Sequence, residues 1–364
     1  MLIGLAVFIL YLYLFAGFKN IAVVLSGVNP VQYAIYYTLA IGAVLLGNLF
    51  WLLSWRNVLH TLNIKISLKS AFLYYWTGYF VDLVVPCETV CGELTRLYLV
   101  HKETDDDYGI VAAGGITNRI VAYIIVVTGL FTSMGLLFLK ANIPPLVISL
   151  LVFIIIGASA YLTILLYLAL SEKSAEKVAS LGLRILRVLR PKKYQSNDLS
   201  AETRKSLASF YQGFKAFREK PRHLIKPITY LALSWLFNLS QYVLVFFALG
   251  LHNLPFSFFI IVYFIAGSVT DLAASFSVGT LDIVLATIFI FYRLNPALAG
   301  ITAALVRSVT FWSPLIIGYV IVQAYGAKRL MAPSPKEQKA NARPSQPNAE
   351  PETSIGNSSQ PVIG

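Results

Sequence analysis

Eight ionisable side chains stand in or beside long apolar runs: Asp82, Glu88, Glu93, Arg96 and Arg119 in the first half of the chain, Asp271, Asp282 and Arg307 in the second. Placing one ionised group at the centre of a bilayer costs at least about 2.5–3.5 kcal/mol on insertion scales. Groups of this kind must therefore face one another or a water-filled cavity. Arg119 with Glu93 and Arg307 with Asp282 are the natural pairs, because a guanidinium grips a carboxylate through two hydrogen bonds. Glu88 reaches the cavity near a hairpin tip or pairs with Arg96. Such a set offers fixed positive charge, from Arg96, Arg119 and Arg307, to an anionic group such as a lipid phosphate, with the acids orienting the arginines. The same pairs would also lock helices together, and the two roles are compatible.

The spacing occurs twice. "GYFVDLVVPCETVCGELTR" from Gly78 and "GSVTDLAASFSVGTLDIVL" from Gly267 align Gly78 with Gly267, Asp82 with Asp271 and Glu93 with Asp282 at a constant offset of 189. Arg119 then lies 26 residues beyond Glu93, and Arg307 lies 25 beyond Asp282. Each copy is an apolar run followed by a segment marginal for crossing alone, 88–100 and 279–294. Pro86 ends the first incoming helix by removing a donor, Gly92 allows its tight return, and Gly279 does similar work in the second copy.

The elements that position these residues are membrane helices. The chain is 57% hydrophobic and only 13% charged, with mean hydropathy +0.70, outside the range of soluble globular proteins. Runs long enough to cross a hydrocarbon core of roughly 30 Å occur at 2–18, 31–55, 110–139, 145–170, 227–250 and 298–325. The fold class expected is all-α: a polytopic membrane helix bundle of about six full spans plus two re-entrant or broken-helix hairpins in inverted repeat. The stretch 2–18 lacks a basic start and an Ala-x-Ala site and reads as a retained first helix.

Loop charge sets the expected sidedness. Of the net charge of +12, the segment 171–226 carries +9, from 14 Lys or Arg against 5 acids. By the positive-inside rule this loop and the Arg56–Lys69 region are cytoplasmic, as are both termini, and the basic loop is a candidate contact for anionic headgroups. The hairpin that leaves Lys69 then enters from the cytoplasm, and the one at 256–294 from the opposite face. Expected units are the membrane half 1–170, the basic loop 171–226 with an amphipathic helix about Val178–Val188, the membrane half 227–330, and a disordered tail 331–364 rich in Pro, Ser, Asn and Gln. The two cysteines, Cys87 and Cys91, read better as small membrane-compatible residues than as a disulfide or metal pair.

The residues "PCETVCGELTRLYLV", "TNRIV", "SFSVGTLDIVL" and "LVRSVTFWSPLIIGY" resemble the flippase-like membrane domain family, also called the lysylphosphatidylglycerol synthase transmembrane region, over about Ile3 to Tyr325. The matching positions are Pro86, Gly92, Glu93, Arg96 and Arg119, then Gly279, Asp282, Arg307, Trp312 and Pro314. Cys91 stands where the family has a turn glycine, and Asp282 where Glu is commoner. The resemblance implies a multi-pass plasma-membrane protein that moves or presents lipids, a flippase for an anionic or polyprenyl-linked lipid, acting beside a separately encoded lipid-modifying enzyme. Alternatives are the membrane subunit of an aminoacyl-lipid or glycosyl transferase and a proton-coupled small-solute transporter using Glu93 and Asp282. No catalytic residue, metal site, cofactor or nucleic-acid partner is expected: the four histidines lie in loops or at span ends, and no P-loop, nucleophile triad or nucleic-acid module is present.

Overall fold

The computed structural model describes residues 26–85, 90–139, 145–171, 197–273 and 277–326. The expected span at 2–18, the amphipathic segment Val178–Val188, the tail 331–364, and Pro86, Cys87 and Glu88 lie outside the described residues. Helices account for nearly all of what is described: α1 (Pro30–Thr61), α2 (Leu68–Val84), α3 (Val90–Thr104), α4 (Tyr108–Phe138), α5 (Pro145–Leu170), α6 (Asn197–Glu219), α7 (Ile225–Ala248), α8 (Phe256–Ala273), α9 (Ser277–Phe291), α10 (Pro296–Arg307) and α11 (Ser313–Ile321).

Their ends follow from local chemistry. Asn29, Ser67, Asp107 and Asn295 cap α1, α2, α4 and α10, each side chain accepting a backbone N–H of the first turn, as expected for groups that satisfy orphaned helix donors. Pro30 and Pro296 occupy first helical positions, where a missing N–H costs nothing. At the other ends Asn63, Gly250 and Arg293 take positive φ. The amides that follow them, of Ile64, Leu251 and Leu294, return to the carbonyls of Leu59, Phe246 and Phe289, closing the last turn. Between α10 and α11 the chain runs as a π-helical turn, Ser308–Trp312. Pro314 accounts for it: its ring crowds the carbonyl four residues back, and the wider register, with the Ser313 N–H donating to the Ser308 carbonyl, makes room.

Five helical stretches are long and apolar enough to cross a membrane, Pro30–Thr61, Tyr108–Phe138, Leu151–Leu170, Pro221–Ala248 and Pro296–Ala324, matching the five expected spans that lie within the described residues. Large apolar side chains face outward along them: Val31, Ile35, Leu39 and Leu46 on α1, and Ile124, Phe131 and Phe138 on α4. That surface suits lipid rather than water.

The interior has two apolar bodies stacked along the helices, with a polar tier between them. One holds Ala40 and Val44 of α1, Leu130 and Leu137 of α4, Val245 and Phe246 of α7, and residues of α8, α9 and α10. The other holds Leu52, Trp55 and Leu59 of α1, Val111 of α4, Ala71, Leu73, Tyr74, Tyr75 and Trp76 of α2, and Leu99 and Val100 of α3. Helices α1 and α4 traverse both. In the tier between, Ser54 Oγ lies 2.6 Å from Asn118 Oδ1 and 3.1 Å from the Pro227 carbonyl oxygen, Ser234 donates to the Gly47 carbonyl at 2.8 Å, and the Tyr75 hydroxyl donates to Asn48. The short helices are built differently. The pair α2 and α3 packs together and reaches from the second body to the tier, while α8 and α9 pack together and reach to it from the first.

Candidate functional site

The last turn of α2 and the first turns of α3 meet in the tier. Gly78 and Gly92 face each other there so closely that a Cβ on Gly92 would fall 2.1 Å from Asp82 Oδ2 and 2.2 Å from the Gly78 carbonyl oxygen. Gly92 therefore lies inside α3 and permits a helix crossing; it does not make the tight return expected from sequence. Its N–H donates to Asp82 Oδ1 at 2.7 Å, placing a carboxylate at a helix N-terminus where the peptide dipoles favour negative charge.

One turn further, Arg96 is 3.3 Å from Asp82 Oδ2 and 3.1 Å from Glu93 Oε1. Its guanidinium lies 5.4 Å from the Trp51 ring centroid and 5.9 Å from that of Tyr75, within the range of cation–π attraction. Glu93 also receives Arg119 of α4, whose Nε and Nη2 donate to the same Oε1 at 3.3 and 3.2 Å. Arg119 Nη1 reaches the Tyr161 hydroxyl at 3.5 Å. The expected pair of Arg119 with Glu93 is present, and it is half of a larger unit in which two acids serve two arginines. Glu88, expected to reach the cavity or to pair with Arg96, lies outside the described residues, and the described partners of Arg96 are Asp82 and Glu93.

The second expected pair is looser. Arg307 Nε stands 3.7 Å from Asp282 Oδ1, and the guanidinium carbon lies 4.6 Å from the Phe311 ring centroid. Both residues are buried. Tyr79 of α2 is within electrostatic reach of Asp82 and Arg96 and also of Arg307, and Tyr242 of α7 is within reach of Arg307 as well. Asp271 falls in α8, with its side chain outside the described residues. Sequence reasoning missed Tyr79, Tyr242, Tyr161 and Trp51; aromatic residues are so common in this chain, with 21 Tyr and 23 Phe, that no local signal marks these four. Cys91 is disulfide-bonded, contrary to the reading of it as a small apolar residue. Among the described residues no group of three or more His, Cys, Asp or Glu is placed to hold a metal ion.

Apolar spans around buried ion-paired side chains, with short helices packed in pairs, define a polytopic helical membrane protein. The chain belongs to the family described as the lysylphosphatidylglycerol synthase TM region, which matches residues 1–318. It is similar to two UPF0104 membrane proteins. One, from Pyrococcus horikoshii, is 22% identical over 297 residues, covering 79% of this chain and 86% of the relative. The other, from Methanocaldococcus jannaschii, is 23% identical over 327 residues, covering 86% and 90%. No solved structure matches the chain.

Proposed function

We propose that this protein carries the polar headgroup of an anionic or polyprenyl-linked lipid through the tier between its two apolar bodies, while the lipid's chains stay in the bilayer. The observation that carries this reading is a pair of buried charge groups, Asp82, Glu93, Arg96 and Arg119 in one and Asp282 with Arg307 in the other, with Tyr79 within electrostatic reach of both. Hairpins that enter from opposite faces and end at mid-depth are an inverted-repeat arrangement, and transporters of that build bind their cargo where the half-helices meet. The family's name associates it with synthesis of an aminoacylated phospholipid. A separately encoded enzyme that modifies the lipid is therefore the partner we assign, with the plasma membrane as the site of action and both termini in the cytoplasm.

The test is leaflet exchange by the purified full chain in vesicles containing headgroup-labelled phosphatidylglycerol or polyprenyl phosphate. Wild type accelerates exchange, and Arg119→Gln and Arg307→Gln slow it by at least about tenfold, the size expected when a charge-assisted hydrogen bond is lost. Wild type that leaves the leaflets unmixed ends the proposal. Covalent change of the lipid by the pure protein would assign it to the transferases instead.

A further inference from the structure

We infer that Arg307 is the anion-accepting subsite of the molecule and that Asp282 is a displaceable placeholder on it; this rests on the lipid-handling reading for its setting but not for its chemistry. The two halves of the site differ in how well their arginines are answered. Arg96 and Arg119 reach Asp82 and Glu93 at 3.1 to 3.3 Å, and although Arg96 Nε is also buried without an acceptor, both guanidiniums of the first group have close carboxylate contacts. Arg307 is only 6% exposed, yet its Nε and Nη2 are both inaccessible to solvent and have no hydrogen-bond acceptor. A charged donor buried without an acceptor forfeits its hydration, and most such groups in native proteins are paired.

Nε and Nη2 form the side-on edge of a guanidinium, the edge that takes two oxygens of a carboxylate or phosphate in parallel. Here that edge meets Asp282 Oδ1 at 3.7 Å from Nε, close enough to hold the charge and too far to make the bond. Phe311 covers one face of the guanidinium, and because both edge atoms are buried an oxyanion gains the edge by displacing what covers it, Asp282 included. Tyr79 and Tyr242 are the neighbours with hydroxyls to offer an incoming oxyanion. The ligand class is a phosphate oxyanion, carried by a lipid headgroup or free in solution. A carboxylate that competes weakly keeps the anion from binding so tightly that it cannot leave, which passage through a membrane site requires.

The experiment uses the full chain in detergent. Native mass spectrometry measures retention of phosphatidylglycerol against phosphatidylcholine, and a thermal-shift titration with inorganic phosphate addresses the free ion. Wild type retains the anionic lipid in preference to the zwitterionic one, and Arg307→Gln lowers that preference by about tenfold or more, as for a charge-assisted bond. Tyr242→Phe lowers it about two- to tenfold, as for a neutral one. Asp282→Asn raises it, because the placeholder's charge is gone; were Asp282 and Arg307 only a structural lock, the same change would weaken the fold without tightening any anion. A phosphate-induced shift that depends on Arg307 identifies the free ion as a ligand, and lipid retention without that shift identifies the headgroup; either supports the subsite. Wild-type preference surviving in Arg307→Gln, an Asp282→Asn protein that loses anion binding, or a wild type that binds neither probe overturns it. Arg307→Lys provides the same readout if the Gln variant fails to fold. Leaflet exchange plays no part in these measurements, so a failure of transport and a failure of this site are separable.

Discussion

At the scale of single residues, the site shows two ways of placing charge in an apolar medium. Glu93 joins Arg96 and Arg119 through one carboxylate oxygen, so Glu93→Gln leaves two buried guanidiniums short of a counter-charge. Removing one partner of a buried pair costs about 3–5 kcal/mol, and thermal unfolding in detergent should register a loss of that size, whereas the proton-carrier alternative would leave stability nearly unchanged. Gly92→Ala should also destabilise, by about 1–3 kcal/mol as overpacking does, because the new methyl meets the Asp82 carboxylate and the Gly78 backbone. An alanine variant as stable as wild type would show that the two helices do not cross as described. The two arginine–acid pairs were readable from sequence because a charge in hydrocarbon demands a partner and few were on offer. The Asp82 to Arg96 contact and the aromatic bracket of Trp51 and Tyr75 were not, since Trp51 comes from α1, and only the folded packing decides which of many rings stands over the guanidinium.

At the scale of elements, spans were legible by length and apolarity. Two features were not legible. The π-helical turn at Ser308–Trp312 depends on how Pro314 is absorbed, by a kink, a break or a wider register, and sequence does not choose among them. The docking of α6 is the other: the sequence reading places an amphipathic helix only at about Val178–Val188, outside the described residues, and assigns nothing to 197–219. Within the described part the answer is packing: Phe217 is buried in the second apolar body, Tyr211 donates to the Ser171 carbonyl at 2.8 Å, and a Cβ on Gly109 of α4 would lie 1.7 Å from the Ser206 carbonyl oxygen. Gly109→Val should therefore push α6 off α4 at about 1–3 kcal/mol. The expected readout is limited proteolysis, with cleavage in α6 about tenfold faster or more while the remaining spans stay protected. Unchanged cleavage would place α6 elsewhere.

At the scale of the whole molecule, the exposed basic residues Lys65 on the α1–α2 connection, Lys69 in the first turn of α2, and Lys215, Arg218, Lys220 and Arg222 at and just beyond the end of α6 lie at the end of the bundle formed by the second apolar body. His252 and Asn295 lie at the other, beside α8, α9 and α10. In a chain with Cys87 and Cys91 replaced, Lys69→Cys and Lys215→Cys should react with an impermeant maleimide from one side of the membrane and Asn295→Cys from the other. Shared sidedness of positions 215 and 295 would contradict the bundle's order. Sequence carried this division as loop charge, a real consequence of how positive residues resist crossing. It did not carry the stacking of two apolar bodies, because α1 and α4 contribute to both and each reads as a single apolar span.

The polar tier lies partway along the helices, with an apolar body on either side, and this divides any charge movement into two strides. An anion that travels from one face to Arg307 crosses roughly half of the transmembrane field. At 100 mV that is about 1 kcal/mol for each stride, half the value for a full crossing. On the proposed lipid-carrying reading, voltage would bias which leaflet fills and which empties, and a potassium diffusion potential imposed across the vesicles would reverse the preferred direction when its sign is reversed.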